Sequence, residues 1–424
     1  MSALTLESGI AGTTRWRAGM RIADFAIAAI VFLGGFVIFE PAPYELLLVP
    51  TVIVWAVFGL RFNLYTLPLA VLLLCYLAGG WLSFTQIDQF GKPFIYMATT
   101  TFLAASSIFF AAVIIEDPAR RMQLIKNAYL ISAVIAATIG VLAYFEVLPH
   151  SELFKRYDRA MGPFQDPNVF APFLILPLCF LARDILTRRL RESLWEVPAF
   201  LIILFATLLA FSRAAWGLAV FAIIVVAYLA FTESQRALMR FRLVAYLVGG
   251  GIAIMLLLAV AINIPAVRDL YVQRAHVVQD YDEGRLGRFE RQQIGFFLVQ
   301  QKPFGLGPFE LGKLLGEDEH NMWLKGFTVY GWLGGFSYII LVVWTLAASA
   351  RLLFKPRPWT PIVQSTFAVY LGHVLLMHSV IDNDHWRHLF LLYGILWGAI
   401  GAERMLHRDQ RRTAPTAAAL AAQH

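Results

Sequence analysis

The chain has 424 residues, 59% of them hydrophobic and only 15% charged. Soluble proteins carry roughly 25% charged residues, so this composition excludes a disordered chain, a nucleic-acid-binding tail and an ordinary cytosolic enzyme. The net charge is +7. In a membrane protein such an excess reports orientation rather than a polyanionic partner, so it has to be located along the chain.

At the N-terminus, Arg15, Arg17 and Arg21 precede an apolar run. That run is about 18 residues long, too long for a signal-peptide core, and no small-residue cleavage site follows. It is expected to be the first membrane helix. Crossing the hydrocarbon core takes about 20 apolar residues, and twelve stretches qualify: roughly 22–39, 45–60, 64–83, 93–115, 124–147, 169–182, 195–211, 214–231, 243–264, 325–349, 361–380 and 388–402. The sixth is short and interrupted by Pro172 and Pro177. The expected fold class is therefore all-α and polytopic. Nine spans run to residue 264, a large loop covers 265–324, three spans cover 325–403, and a disordered tail covers 404–424. Cys75 and Cys179 lie inside apolar stretches and read as buried thiols, with no disulfide framework or metal-ligand spacing.

Lys and Arg near the span ends fix the orientation. With the N-terminus inside, the inner flanks hold 21 of them and the short outer loops hold 6. Both termini are then cytoplasmic and the long loop is outside. Loops of that length are usually functional. Few ionisable residues fall in mid-span, which disfavours a pump. No internal repeat is evident, which disfavours a secondary transporter.

Four polar patches fall on the outer face. The first is MGPFQDPNVFAP, 161–172, where Asp166-Pro167-Asn168 can cap the following helix or line a site. In the second, FSRAAW, 211–216, Arg213 sits at a helix start with almost no preceding loop. An arginine there can snorkel to the headgroups, or it can join free backbone N–H groups in holding a diphosphate. The third is the long loop. An amphipathic helix is expected at about 287–301, with Phe289, Ile294, Phe297 and Leu298 as its apolar side, lying along the membrane surface. Arg285, Arg288 and Arg291 cluster near its start, and Gly305-Leu306-Gly307 beyond it lacks the spacing of a dinucleotide fingerprint. His320-Asn321 follows the acidic run Glu317, Asp318, Glu319, which should favour the protonated histidine if close. The fourth patch holds Asp382, Asp384, His385 and His388, which suit either a divalent metal or a polar interhelical rim beside Trp386.

In this order, the motifs GPFQDPNVFAPFLILPL, SRAAW, KPFGLGPFELG behind the GR-rich segment, and HN before YGWLGG resemble the O-antigen ligase and O-antigen polymerase superfamily of bacterial inner-membrane proteins. The resemblance covers about residues 160–340. It implies a GT-C-type helical fold and a glycosyltransferase acting on the periplasmic face. The donor would be an undecaprenyl-diphosphate-linked glycan, and the acceptor lipid A-core or another lipid-linked glycan. It implies no cofactor and no metal, and nucleic acid is not an expected partner. By motif, Arg213 and Arg288 match the arginines that hold the donor diphosphate, and His320 matches the histidine that assists the acceptor hydroxyl. Arg285 competes with Arg288, because GRLGR offers two registers. Arg291, Asp166, Asn168 and Asn321 are expected to line the substrate. The family resemblance leaves the Asp382–His388 patch without a role.

The chemistry suits those residue types. Breaking a sugar–phosphate bond builds negative charge on the leaving diphosphate, which fixed guanidinium groups stabilise most in the transition state. A sugar hydroxyl is a weak nucleophile, and a neutral imidazole can take its proton. The outer face is acidic overall, so an anionic donor must be held by a few placed arginines. Two other classes stay open: a transporter or flippase of lipid-linked glycan, which needs a continuous polar path through the bilayer, and a non-catalytic membrane scaffold.

Overall fold

The computed structural model describes residues 21–58, 63–235, 237–261, 263, 268 and 287–413. Arg285, most of the loop at 264–286, Arg15, Arg17, Arg61 and the tail beyond Thr413 lie outside the described residues.

The described chain is almost wholly helical. Its helices are α1 (21–33), α2 (Pro43–Phe58), α3 (Leu67–Leu82), α4 (Gly91–Glu116), α5 (Pro118–Tyr144), α6 (Pro167–Thr187), α7 (Glu196–Leu209), α8 (Arg213–Glu233), α9 (Ala237–Ala261), α10 (Arg288–Gln300), α11 (Glu310–Leu315), α12 (Met322–Thr328), α13 (Gly331–Ala350), α14 (Thr360–Gly372) and α15 (Arg387–Thr413). Among the described residues the one sheet is a hairpin, β1 (Lys155–Arg156) against β2 (Arg159–Ala160). Among the described residues, eight helical segments are long and apolar enough to cross a bilayer, and two shorter apolar helices accompany them. The chain is a multi-pass membrane protein by this criterion.

Three differences from the expected spans have physical causes. α6 is an unbroken helix of 21 residues despite Pro172 and Pro177. Proline interrupts a helix by deleting an N–H and crowding the preceding turn, but a helix enclosed by others tolerates it, and α6 packs against α5, α7, α8 and α14. The expected span 325–349 is two helices, α12 and α13, broken at 329–330, with Gly331 at the start of α13 in a left-handed conformation (φ +62°). The break is where the KPFGLG turn docks. Leu306 N and Gly307 N donate to Thr328 O at 2.6 and 3.1 Å, and Trp332 N donates to Pro303 O at 2.9 Å. Gly305 takes φ +77° there, and a β-carbon on it would lie 2.6 Å from Thr328 O, so only glycine fits. Lastly, α15 continues to Thr413, past the residue 404 at which the tail was expected to begin.

Small residues set the helix spacing. On α15, β-carbons at Gly394, Gly398 and Gly401 would lie within 2.6 Å of Phe110, Ile114 and Ile115 of α4. The absent side chains let the two helices close on each other, as small residues do in membrane bundles. Gly79 of α3 meets the backbone of Tyr330 and Gly334 in the same way. Tyr129, Tyr330, Tyr370, Tyr393 and Trp397 fill the enclosed space. Polar links cross it where hydroxyls need partners: Tyr370 OH donates to Tyr393 OH at 3.0 Å and Trp397 Nε1 to Thr345 Oγ1 at 2.9 Å.

Candidate functional site

The first two patches form one unit. Asp166 caps α6, its Oδ1 accepting from Asn168 N at 2.6 Å. Asn168 Oδ1 in turn accepts from Arg159 Nη2 at 2.8 Å, while Arg159 Nε donates to Ala210 O at 2.7 Å. Ala210 lies three residues before Arg213, in the tight turn from α7 to α8. That turn is held by Phe211 in a left-handed conformation (φ +46°) and by Trp216 Nε1 donating to Thr207 O at 3.1 Å. Buried Arg159 therefore fastens the Asp166–Asn168 turn to the start of α8, where Arg213 is the first, half-buried residue. Arg156 Nη1 donates to Gln165 O at 3.1 Å beside Asp166.

The third and fourth patches form a second unit. Asn321 caps α12, its Oδ1 accepting from Leu324 N at 3.1 Å. Met322 N donates to His378 O at 2.6 Å. Asp382 Oδ1 accepts from Asn321 N at 3.1 Å, and Asp382 Oδ2 lies 4.0 Å from His320 Nδ1. Lys325 Nζ sits 3.3 Å from Asp382 Oδ2 and 3.5 Å from Asp384 Oδ1. Asp384 also accepts from Tyr330 OH at 2.8 Å and from Tyr96 OH, and Thr100 Oγ1 hydrogen-bonds His385 Nε2 at 2.8 Å. The His320 side chain is 40% exposed whereas those of Lys325 and Asp384 are 8% and 3% exposed, so the histidine is the accessible member of a buried ionic cluster.

The electrostatics follow from that burial. Burial pushes the Glu319 carboxyl up to about 7, against the pull of Lys325. Burial also raises Asp318. Burial opposes ionisation of Asp384 too, but Lys325, His385 and the hydroxyls of Tyr96 and Tyr330 together outweigh it and hold this carboxyl below its ordinary range.

One segment ties the two units together. α14 runs on as a wide turn, His373–Met377, that packs against α8. Gly217, one turn into α8, faces Leu376, and the next carbonyl, that of His378, receives Met322 N. The helix bearing Arg213 and the one following His320 are thus anchored on the same segment.

Of the other expected site residues, Arg288 is the first residue of α10 and half-buried. Arg291 pairs with Glu317 at 2.5 Å, which ties α10 to the acidic run before His320. Arg285 lies outside the described residues. Of the apolar side expected for α10, Phe289 and Phe297 are exposed together with Phe296, while Gly295 and Val299 are buried. Phe289 and Phe297 therefore face away from the protein, as expected of a helix lying along a membrane surface. Among the described residues no three His, Cys, Asp or Glu side chains gather as metal ligands. Asp382 and Asp384 instead share the Lys325 ammonium, which takes the place a cation would fill. Lys325, Arg159 and Gln292 were not singled out from sequence. Lys325 stands at the edge of an expected span, where a lysine ordinarily snorkels to the interface, so its position alone gave no signal.

The chain matches no protein-family model and no curated protein.

Proposed function

We propose that this chain transfers or polymerises glycan carried on undecaprenyl diphosphate, at the periplasmic face of the bacterial inner membrane. In this reading it is a twelve-span GT-C-type enzyme with both termini cytoplasmic, working in lipopolysaccharide or exopolysaccharide synthesis. The observation that carries the reading is the half-exposed His320, backed by Asp382 on a buried ionic cluster and anchored on the segment that also anchors the Arg213 helix.

The chemistry runs as a single displacement. The acceptor hydroxyl oxygen attacks the anomeric carbon, and the bond from that carbon to the diphosphate oxygen breaks. The electron pair leaves with the diphosphate, where Arg213 and Arg288 offset the growing charge. The hydroxyl proton passes to Nε2 of His320, whose Nδ1 faces Asp382. Asp382 orients the ring and stabilises the imidazolium that forms, the role a carboxylate plays behind a histidine base. The acidic outer face makes the arginines the points at which an anionic donor is held.

Deleting the gene and profiling surface glycans on gels tests this reading. Unattached long chains identify a ligase, single repeats on the core identify a polymerase, and lost secreted polymer with normal lipopolysaccharide identifies an exopolysaccharide polymerase. Unchanged surface and secreted glycans contradict the reading. Donor trapped on the cytoplasmic face would instead make the chain a flippase.

A further inference from the structure

His320 has a left-handed backbone (φ +46°), an unfavourable conformation for a residue other than glycine. Such strain persists only where the surroundings impose it. Two side chains do so here. Gln292 of α10 donates from Nε2 to the carbonyls of Glu319 and His320 at 3.2 and 3.3 Å, and its Oε1 accepts from Asn321 Nδ2 at 3.3 Å. Asp382 takes the N–H of Asn321 at 3.1 Å. Asp382 is held in turn through its other oxygen, 3.3 Å from Lys325 Nζ. Lys325 is itself fixed to Asp384, which two tyrosine hydroxyls, from α4 and from the break before α13, hold in the interior. A continuous chain of polar contacts therefore runs from the packed core, through the Lys325 ammonium, to the backbone that aims the imidazole.

Resting on the transfer reading above, we propose that Lys325 is a positioning residue for the reaction: its ammonium pins Asp382, and Asp382 holds His320 in the strained conformation that presents Nε2 to the acceptor. Without the ammonium, Asp382 loses its charged anchor, and the backbone at 320–321 relaxes away from the left-handed conformation. Lys325 touches neither donor nor acceptor, so its removal lowers turnover and leaves donor affinity in place.

The experiment uses the full-length protein in proteoliposomes. The substrate is the lipid-linked glycan extracted from a strain lacking the gene, and undecaprenyl diphosphate alone is the binding probe. Lys325→Met is expected to lower kcat roughly 10- to 100-fold, the usual effect of losing a group behind a catalytic side chain. Affinity for undecaprenyl diphosphate should stay within about twofold, less than the loss of one hydrogen bond would produce. Lys325→Arg, which keeps the charge, should recover most of the activity. In a His320→Ala background, Lys325→Met should change the residual rate by less than about twofold, because residues acting through one another are not additive. Should Lys325→Met fold poorly, Lys325→Met/Asp384→Asn removes a buried charge together with a countercharge while Asp382 still lacks its ammonium, and it should show the same loss of kcat. Wild-type kcat in a folded Lys325→Met protein overturns the inference, as does an equal further loss in the His320→Ala background. If His320→Ala alone keeps wild-type kcat, the transfer reading itself falls, a result separable from the other two.

Discussion

Asp382 accepts the backbone N–H of Asn321 at 3.1 Å across 61 residues of chain. This bond joins two stretches that are unremarkable alone: a histidine-asparagine pair at the end of a long loop, and an acidic turn before the last helix. Together they make a histidine backed by a carboxylate. Asp382→Asn keeps a side-chain oxygen for Asn321 N–H but removes the charge facing His320 and Lys325. It should lower turnover by about 10²- to 10³-fold, within the range general base catalysis supplies, as measured by release of undecaprenyl diphosphate. Donor binding should be spared.

Arg159 tests the link between the first two patches. It is buried and makes charge-assisted hydrogen bonds to Ala210 O and Asn168 Oδ1. Losing them should cost roughly 1.5–3 kcal/mol each, because bonds to a charged group are worth that much. Arg159→Ala should therefore lower the melting temperature of purified protein by several degrees. By freeing the start of α8 it should also weaken undecaprenyl diphosphate binding, which Arg159→Lys restores only in part because Lys lacks the fork.

Glu319 predicts a pH dependence of stability. Burial raises its carboxyl from 4.5 to about 7 in the folded protein. A folded value above the unfolded one means the contribution is fully present below about 4.5 and is lost as pH rises through about 7. The span corresponds to roughly 3 kcal/mol. Thermal unfolding of the wild type should lose ground between pH 5 and pH 8 relative to Glu319→Gln, whose side chain still accepts from Thr328 and does not titrate. Parallel pH curves for the two proteins contradict this.

Gly79 tests the packing of α3 on the start of α13. A β-carbon there would lie 2.2 Å from Tyr330 O and 2.7 Å from Gly334 N, both backbone atoms that cannot swing aside. Gly79→Ala should push the helices apart at the tyrosine that holds Asp384. Overpacking of this kind costs about 1–3 kcal/mol. Reduced yield of folded protein, together with lowered turnover, is the expected outcome.

Much of the membrane architecture was legible because hydropathy alone specifies it: eight of the helical segments are long and apolar enough to span. The break at 329–330 was not legible, since it depends on a distant KPFGLG turn docking its N–H groups on Thr328 O. Pro172 and Pro177 misled for a similar reason, as local propensity was overridden by the packing around α6. The cap at Asp166 is local and could be read directly, whereas the equally local cap at Asn321 was not read as one. The ionic cluster was half legible. Asp382, Asp384 and His320 stand out as residue types, but Lys325, the shared partner of the two aspartates, reads as an ordinary helix-end lysine until the fold brings α12 beside residues 382–384. Arg159 was hidden likewise, counted as outer-loop charge although its guanidinium is buried.

In the proposed reaction His320 does the chemistry while Arg213 holds the donor. One measurement tests it directly: purified wild type, His320→Ala and Arg213→Ala in proteoliposomes, each assayed for undecaprenyl diphosphate affinity and for single-turnover transfer of the lipid-linked glycan. His320→Ala should bind like wild type and transfer at least about 10²-fold more slowly, and Arg213→Ala should bind roughly 10- to 100-fold more weakly. Wild-type transfer by His320→Ala, or wild-type binding by Arg213→Ala, would contradict it.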